Sequence, residues 1–560
     1  MAFADLLDVV GGMGRFQFIQ VSLLAVPILM MASHNLLQNF SAGIPTHHCR
    51  VAIARNGSHD TNTSLAHEDF VRATIPMDRN QRPEKCLQFT EPQWWLLIQN
   101  ATADNVTAIA KQPCADGWDY DRSVFVSTII TEWDLVCDQR TMRQLAQSIF
   151  MAGVLAGAIV FGGLSDKFGR RPILIWSYFQ MAASGTCAAY SPNFIAYCVF
   201  RFLTGMALSG IGLDTVSLIV EWIPTRVRTI TGTLTGYFYT FGQIVLAGLA
   251  YGLPNWRHLQ LTISVPFFFF FLYSWWIPES ARWLVLAGKP EKAVKVLKRV
   301  ATLNGKKEEG DKISVESLKI DLLKETAAST SSYSVIDLVR TRNIRRITIC
   351  ISFVWFSTSF AYYGLAMDLQ NFGVSVYLIQ VIFGAVDIPA KLMSTIAMSY
   401  IGRRITQAAS LTLAGTAIIA NIFIPYEFQT LRTSMAVMGK GCLASSFSCA
   451  FLFTSELYPT VIRQSGLGYA STMARVGGIV APMVKITSEY VPFLPLVIYG
   501  GAALISGFAA CFLPETLNEG LPDTIEEVEN RRKKVKPETK DKAATTKEKA
   551  LLQSPVSTTC

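Results

Sequence analysis

Charge is what this sequence is short of. Only 16% of its 560 residues are Asp, Glu, Lys or Arg, and 51% are hydrophobic, whereas soluble domains carry about 25% charged residues. Such a chain has too little polar surface to wet an ordinary globule, which excludes a soluble single-core protein and points to a bilayer as solvent. Histidine is scarce too, at six residues. No H-E-x-x-H, no C-x-x-C and no metal-ligand spacing occurs, so metal hydrolysis has no ligand set and no cofactor is expected. His34, the one histidine near the interior of an apolar run, is expected to be structural. The absence of G-x-x-x-x-G-K-[ST] excludes an ATP-driven pump, and no segment suggests nucleic acid binding. The N-terminus, MAFADLLDVVGGMGRFQF, has neither the basic region nor the cleavage site of a signal peptide. Phe3, Leu6, Leu7 and Val10 sit at helical spacing, which predicts a short interfacial helix within residues 1–14.

What is present are apolar runs of about 20 residues, each long enough to cross a hydrocarbon core of about 30 Å. They predict twelve spans near 15–39, 144–164, 172–190, 194–219, 229–251, 257–277, 346–368, 374–399, 405–424, 430–455, 463–487 and 493–513. Between residues 40 and 138 there are 8 basic and 13 acidic side chains, and between 282 and 346 there are 15 basic and 8 acidic. Basic loops stay inside, so the 279–345 linker and both termini are expected in the cytoplasm and the 40–143 loop outside. Four sequons in that loop, at Asn56, Asn62, Asn100 and Asn105, agree with this; a fifth, Asn39, lies close to the first span. The same loop holds Cys49, Cys86, Cys114 and Cys137, an even number in an oxidising compartment, so two disulfides are expected, with three connectivities open. Cys187, Cys198, Cys350, Cys442, Cys449 and Cys511 read as small buried hydrophobes. The tail over 515–560, with RRKKVK at 531–536, is expected to be disordered and cytoplasmic.

The two sets of six spans repeat one another. Glu221-Trp-Ile-Pro-Thr-Arg-Val-Arg228 recurs as Glu456-Leu-Tyr-Pro-Thr-Val-Ile-Arg463, offset by 235 residues; Gly169-Arg170-Arg171 recurs as Gly402-Arg403-Arg404, offset by 233; Pro278-Glu279-Ser280 recurs as Pro514-Glu515-Thr516, offset by 236. A duplicated six-span unit (15–278 and 346–514) is the pattern of carriers that rock one half against the other around a central site. Asp166, Arg170 and Arg171, with the acids Glu221 and Glu279, form acid–base pairs in the first half that Arg228 and Arg282 extend and that Glu456 and Arg463 repeat. Such pairs can hold one conformational state and break in the other.

The loop Gly162-Gly-Leu-Ser-Asp-Lys-Phe-Gly-Arg-Arg171 resembles the signature of the major facilitator superfamily, and Arg201-x-x-x-Gly205 and Pro278-Glu279-Ser280-x-Arg282-Trp283 resemble marks of its sugar-porter branch. MAFADLLDVVGGMGRFQ, ASHNLLQNFSAGIPTHHC, the four-cysteine loop ending TEWDLVC, SFAYYGLAMDLQ, VDIPAK, GKGCLASSF and STMARVGG together resemble the organic anion transporters of solute carrier family 22, nearest to its renal anion–dicarboxylate exchangers. The resemblance covers all but the middle of the external loop and the tail. It implies an all-α membrane protein of two pseudo-symmetric six-helix bundles.

Charges within apolar spans are costly and mark function. Arg475 lies about 12 residues into the eleventh span with Gly477 and Gly478 beside it and no local acid, which suits a visiting carboxylate gripped by two parallel bonds; a structural salt bridge to another helix is the competing reading. Lys391 has Asp387 four residues earlier, so an internal ion pair could satisfy it. Lys440 has no acid at helical spacing. The resemblance implies anion recognition at Arg475 and Lys391, with chloride dependence through Arg475. Tyr237 and Tyr239, Trp355, Phe356, Phe360, Tyr362 and Tyr363, and Phe447 and Phe451 could line an aromatic cavity, to which Asn35 of the ASHNLLQNF segment is added. The run Phe267 to Phe271 with Trp275 and Trp276 is expected to face lipid. Asp214 departs from the family pattern; it could pair with one of the three cations or carry a proton.

These readings predict a plasma-membrane antiporter, basolateral by the resemblance, that takes up organic anions such as para-aminohippurate, drugs, urate or prostaglandins against an intracellular dicarboxylate such as 2-oxoglutarate. A cation or zwitterion carrier of the same family is the alternative, resting on Asp214; a receptor or membrane enzyme has less support, since no intramembrane His/Asp/Ser cluster is present.

Overall fold

The computed structural model describes residues 3–51, 67–78, 81–97, 109–316, 318, 336–372, 374–425, 427–519, 521–522 and 524–534. Asn56, Asn62, Asn100 and Asn105 lie outside the described residues. Helix fills every predicted span: α1 (Arg15–Leu36), α2 (Met142–Phe168), α3 (Arg170–Ala189), α4 (Phe194–Trp222), α5 (Thr225–Gly252), α6 (Trp256–Ser264), α7 (Pro266–Ser274), α8 (Arg342–Ala366), α9 (Val376–Tyr400), α10 (Arg403–Phe423), α11 (Gln429–Leu457), α12 (Arg463–Lys485) and α13 (Leu494–Cys511). Eight helical stretches among the described residues are long and apolar enough to cross a membrane, those containing α1, α2, α4, α8, α9, α10, α11 and α13. Of the others, α3, α5 and α12 are long enough but carry too many polar residues, and the sixth predicted span is divided into α6 and α7 at Pro266, which has no N–H to continue the helical ladder.

α1 to α7 pack as one bundle and α8 to α13 as another. They meet through two related contacts, α2 with α12 and α5 with α9. Close approach depends on small residues. Gly153 and Gly157, one turn apart on α2, lie against the backbone of Phe202 and Met206 on α4, where a Cβ would have no room. Pro27 removes the N–H that would bond the Leu23 carbonyl, and the Tyr273 hydroxyl of α7 donates to that carbonyl instead, at 2.5 Å. Of the Phe267 to Phe271 run, Phe267 and Phe270 are buried in the first bundle, while Phe269, Trp275 and Trp276 are exposed. The expected lipid-facing wall is therefore only one side of this helix. His34 is fully buried with Nε2 against the Ile263 carbonyl, 3.2 Å away, a structural placement.

The loop after α1 carries two small antiparallel pairs, β1 (His47–Cys49) with β4 (Trp118–Tyr120) and β2 (Leu87–Phe89) with β3 (Lys111–Pro113). Its disulfides are Cys49–Cys114 and Cys86–Cys137, which resolves the open connectivity. Three other cysteine expectations need correction: Cys187 and Cys511 are exposed and Cys442 is half-buried. Asn39 is buried, with its Nδ2 donating to the Ala366 carbonyl at 2.9 Å and to Gln380 Oε1 at 3.3 Å.

The opposite end of the molecule, called here the arginine end, carries the linker. Its helices Ala281–Leu286 and Pro290–Leu303 cover the N-terminal segment. The Asn304 side chain accepts from the Phe16 N–H at 2.9 Å and donates to the Val10 carbonyl and Gln17, both at 3.0 Å. Leu7 and Val10 are consequently buried against protein, so the helix Phe3–Val9 is docked rather than free to lie in an interface. The tail also departs from its expectation. Residues Ile525–Lys534 form a helix, Val528 is buried, and Glu529 Oε1 accepts from the Asn343 N–H at 2.8 Å at the start of α8, so order extends well past residue 515.

Candidate functional site

The middle of the molecule is where the halves exchange polar contacts. Asn35 on α1 donates through Nδ2 to Tyr239 on α5 at 2.6 Å and to Tyr363 on α8 at 2.9 Å, tying three helices and both halves. Arg475 on α12 donates to Ser471 at 2.6 Å, one turn earlier, and reaches Ser209 of α4, in the other half, at 3.5 Å. Among the described residues no carboxylate pairs with it. Gly477 lets α12 approach α8 so closely that a Cβ would stand 2.5 Å from the Phe356 carbonyl, and Gly478 lies beneath the Tyr363 ring. The glycines thus set the guanidinium beside the tyrosines.

The lysines behave differently from the pairing their spacing suggests. Lys440 on α11, almost completely buried, sits 2.9 and 3.0 Å from the two carboxylate oxygens of Asp387 on α9 and 4.1 Å from the Tyr362 ring centroid. Gln243 of α5 donates to the same carboxylate at 3.2 Å and to the Tyr362 hydroxyl at 3.4 Å. Lys391, one turn from Asp387, turns away to Thr240 Oγ1 at 2.8 Å and the Gly236 carbonyl at 3.2 Å on α5. The i,i+4 ion pair is corrected: the acid is held by the cross-helix cation, because Lys440 has no exit to water. Thr240, Gln243 and Ser209 were missed in the sequence. Their only signal there is a polar side chain within an apolar run.

Of the aromatic candidates, Tyr239, Tyr362 and Tyr363 converge, with Phe447 5.3 Å edge-on to Tyr362 and Trp355 6.3 Å from Phe447. Trp355 is also anchored by its Nε1–H to Thr454 at 2.9 Å. Phe360 stacks at 5.4 Å on Phe356 and edge-on at 4.9 Å on Tyr499, inside the second bundle. Tyr237 lies two residues from Tyr239, about 200° around the helix, and does not share its face. Phe451, one turn beyond Phe447 on the same face of α11, is 58% exposed.

At the arginine end the repeated motifs make matching networks. Gly169 and Gly402 have φ of +108° and +106°, a conformation open to glycine, and each turns the chain into the next helix. The Glu279 carboxylate accepts the N–H groups of Arg170 and Arg171 at 3.2 and 3.1 Å, and Glu515 accepts those of Arg403 and Arg404 at 2.8 and 3.1 Å, so each acid caps an N-terminus that also favours negative charge. Arg170 pairs with Glu221 at 3.4 Å and Asp166 at 3.1 Å; Arg403 pairs with Glu456 at 3.0 Å. Ser399 stands where the repeat would place a second Asp166, so the first network has an acid that the second lacks. Arg171 donates to the Trp275 carbonyl, and the Trp283 indole to the Asp166 carbonyl at 2.9 Å. Arg228 and Arg463 bond the carbonyls of Val220 and Tyr458 at 3.1 and 3.3 Å, and Arg282 is exposed. Asp214 belongs to this end. Its carboxylate accepts from the Ser165 hydroxyl, and the Ser165 carbonyl in turn accepts from Arg170 at 3.3 Å. It pairs with none of Lys391, Lys440 or Arg475, since it lies two turns from the end of α4.

Contacts between the halves continue at the disulfide end. Arg140 and Glu489 pair at 2.7 Å, Ser148 donates to the Ile479 carbonyl at 3.0 Å, and the Tyr377 hydroxyl to that of Val124 at 3.1 Å. The molecule is closed at that end, above the tyrosines.

The profile of the sugar (and other) transporter family matches residues 105–528. A solved inward-open structure of the xylose transporter XylE from E. coli superposes with a TM-score of 0.59 over 92% of this chain and 99% of that one, at 14% identity, and XylE bound to 6-bromo-6-deoxy-D-glucose, described as a major facilitator superfamily proton:xylose symporter, with 0.55 over 92% and 98%, at 16%. At such identities they speak for the fold alone. Much nearer in sequence are solute carrier family 22 member 6-A of Xenopus laevis, 64% identical over 538 residues and 96% of each chain, solute carrier family 22 member 6 of Danio rerio, 56% over 538 residues and 95% of each, and organic anion transporter 3 of Homo sapiens, 55% over 541 residues and 96% of each. The chain, all-α and with the major facilitator fold, belongs to the sugar (and other) transporter family and within it to solute carrier family 22, whose members are transporters and not enzymes.

Proposed function

We propose that this protein is a plasma-membrane antiporter that takes up organic anions in exchange for an intracellular dicarboxylate, by alternating access. The observation that carries the reading is Arg475. A guanidinium at the meeting of the halves, held among the described residues by Ser471 and at longer range by Ser209, keeps donors for a carboxylate, and Tyr239, Tyr362, Tyr363 and Phe447 supply apolar area with hydroxyls beside it. The relatives named as organic anion transporters support the same substrate class. Broad acceptance of aromatic acids such as para-aminohippurate, urate, prostaglandins and drugs follows from area-driven binding with one orienting cation. Chloride would compete or cooperate at the same guanidinium.

Exchange supplies the driving force, and rocking of the two bundles supplies access. Closure at the disulfide end supports reading this as the state open toward the arginine end, and the positive charge of the 279–345 linker supports a cytoplasmic place for that end. With a dianion leaving as a monoanion enters, one negative charge moves outward per cycle, and a resting potential adds somewhat over ~1 kcal/mol, or about tenfold. Basolateral residence fits this role. A cation carrier is disfavoured because both intramembrane acids are occupied, Asp387 by Lys440 and Asp214 by Ser165.

The test is uptake of labelled para-aminohippurate by cells expressing the protein, with and without preloaded 2-oxoglutarate. Preloading should stimulate uptake, and Arg475→Asp should abolish it at unchanged surface level. No trans-stimulation removes the exchange; full uptake by Arg475→Asp removes that residue from the site.

A further inference from the structure

A cavity of about 540 Å³ lies at the arginine end, on the outside of the first bundle and away from the tyrosine site. Its floor is α1 and the start of α3, its roof the linker helix Pro290–Leu303. Lys292, Val296, Arg299 and Leu303 recur at helical spacing on that roof, so one stripe presents two cations and two apolar groups together, and Lys289 extends it by a turn. Arg171 projects from the floor. Glu279, the one acid in the lining among the described residues, is already bound by the N–H groups of Arg170, Arg171 and Ser280. Among the described residues no carboxylate pairs with Arg171, Lys289, Lys292 or Arg299. Four cations thus face a cavity whose one carboxylate among the described residues is turned to backbone N–H groups.

The rest of the wall is apolar and faces outward. Ile19, Phe168, Trp275 and Trp276 are 60%, 53%, 57% and 73% exposed. Exposed tryptophans at a helix end are the side chains that sit at the headgroup level of a bilayer. The cavity therefore joins a cationic chamber to a lipid-facing aromatic lip. A soluble phosphate would fill the chamber and leave the lip empty, whereas one molecule with an anionic head and acyl chains covers both. We propose that this cavity binds an anionic phospholipid, its headgroup phosphate held by Arg171, Lys289, Lys292 and Arg299 and its chains passing over Trp275 and Trp276. Because the roof is the linker and Arg171 belongs to the motif at Gly169, a lipid seated there fastens the linker to the first bundle.

The proposal is tested on the purified full chain in phosphatidylcholine nanodiscs, titrated with phosphatidylserine or phosphatidylcholine brominated in the acyl chains. The readout is quenching of tryptophan fluorescence, and the same titrations are run on Lys292→Glu/Arg299→Glu and on Lys292→Gln/Arg299→Gln. Both substituted residues are exposed and outside the gate, so helicity and elution should be unchanged. Brominated phosphatidylserine should quench with about fivefold preference over phosphatidylcholine, a preference that the Gln pair reduces and the Glu pair abolishes. Added inorganic phosphate at millimolar concentration should leave the quenching in place. Equal quenching by the two lipids, or a preference untouched by charge reversal, overturns the lipid site. Displacement by phosphate overturns it in favour of a soluble anion. Uptake by Arg475→Asp bears on the transport reading alone, so the two fail separately.

Discussion

The Nζ of Lys440 lies 2.9 and 3.0 Å from the two oxygens of Asp387, with both side chains 1–2% exposed and the Tyr362 ring over the ammonium. A buried pair is strong only as a pair, since removing one partner leaves an uncompensated charge in apolar surroundings. Asp387→Asn or Lys440→Met alone should each cost ~3–5 kcal/mol, and the double variant substantially less than the sum. Thermal unfolding of the purified protein in one detergent gives the comparison. Additive losses would mean that the residues are not coupled.

Asp214 offers a separation of binding from turnover. It is joined through Ser165 to Arg170, and Arg170 to Glu221 and Asp166, with no contact to the tyrosines. Asp214→Asn should therefore leave KM for an anion within about twofold while lowering the maximal uptake rate by roughly threefold or more, because it weakens a network that must break and reform each cycle. A large rise in KM at normal rate would place Asp214 in the binding site instead.

Legibility in the sequence followed the range of the interaction. Apolar runs and offsets of 233 to 236 residues carry helix positions and the duplicated networks, because both are local or periodic; Glu279, read there as an acid paired with the arginines, meets them through their backbone N–H groups. Partners chosen across helices could not. Spacing leaves Lys391 open as the partner of Asp387, yet the fold gives the acid to Lys440, 53 residues away, while Lys391 reaches Thr240. Phe447 and Phe451 share a helix face but not an environment, and only the neighbours of α11 decide that one touches Tyr362 while the other is exposed. The docked N-terminus and tail were missed for the same reason. Short polar segments show no period that announces Asn304 or Glu529 as their anchors.

Asn39 should carry no glycan although it opens an N-x-S triplet. Its amide nitrogen, where a sugar would be joined, is buried and donates to Ala366 and Gln380 in the other half. Asn39→Gln should leave the electrophoretic size of the mature protein, before and after deglycosylation, as in the wild type. A mobility shift that persists in the protein lacking the other four sequons would contradict the buried placement.

Glu279 makes the arginine end sensitive to pH. Burial raises its carboxyl above the ordinary glutamate range, against the opposing effect of the N–H groups of Ser280, Arg171 and Arg170. A raised folded-state value means that the folded form holds this proton more tightly than the unfolded chain does, so the Glu279 contribution to stability grows as pH falls from neutrality toward about 4.3 and is lost as pH rises through the folded value. Glu279→Gln removes the titration while keeping an acceptor for the N–H groups. The difference in Tm between wild type and Glu279→Gln should therefore shift in favour of the wild type as pH is lowered across that window. Parallel Tm profiles would show that Glu279 titrates alike in the two states, and an opposite slope would show that its bonds to Arg170 and Arg171 outweigh its burial.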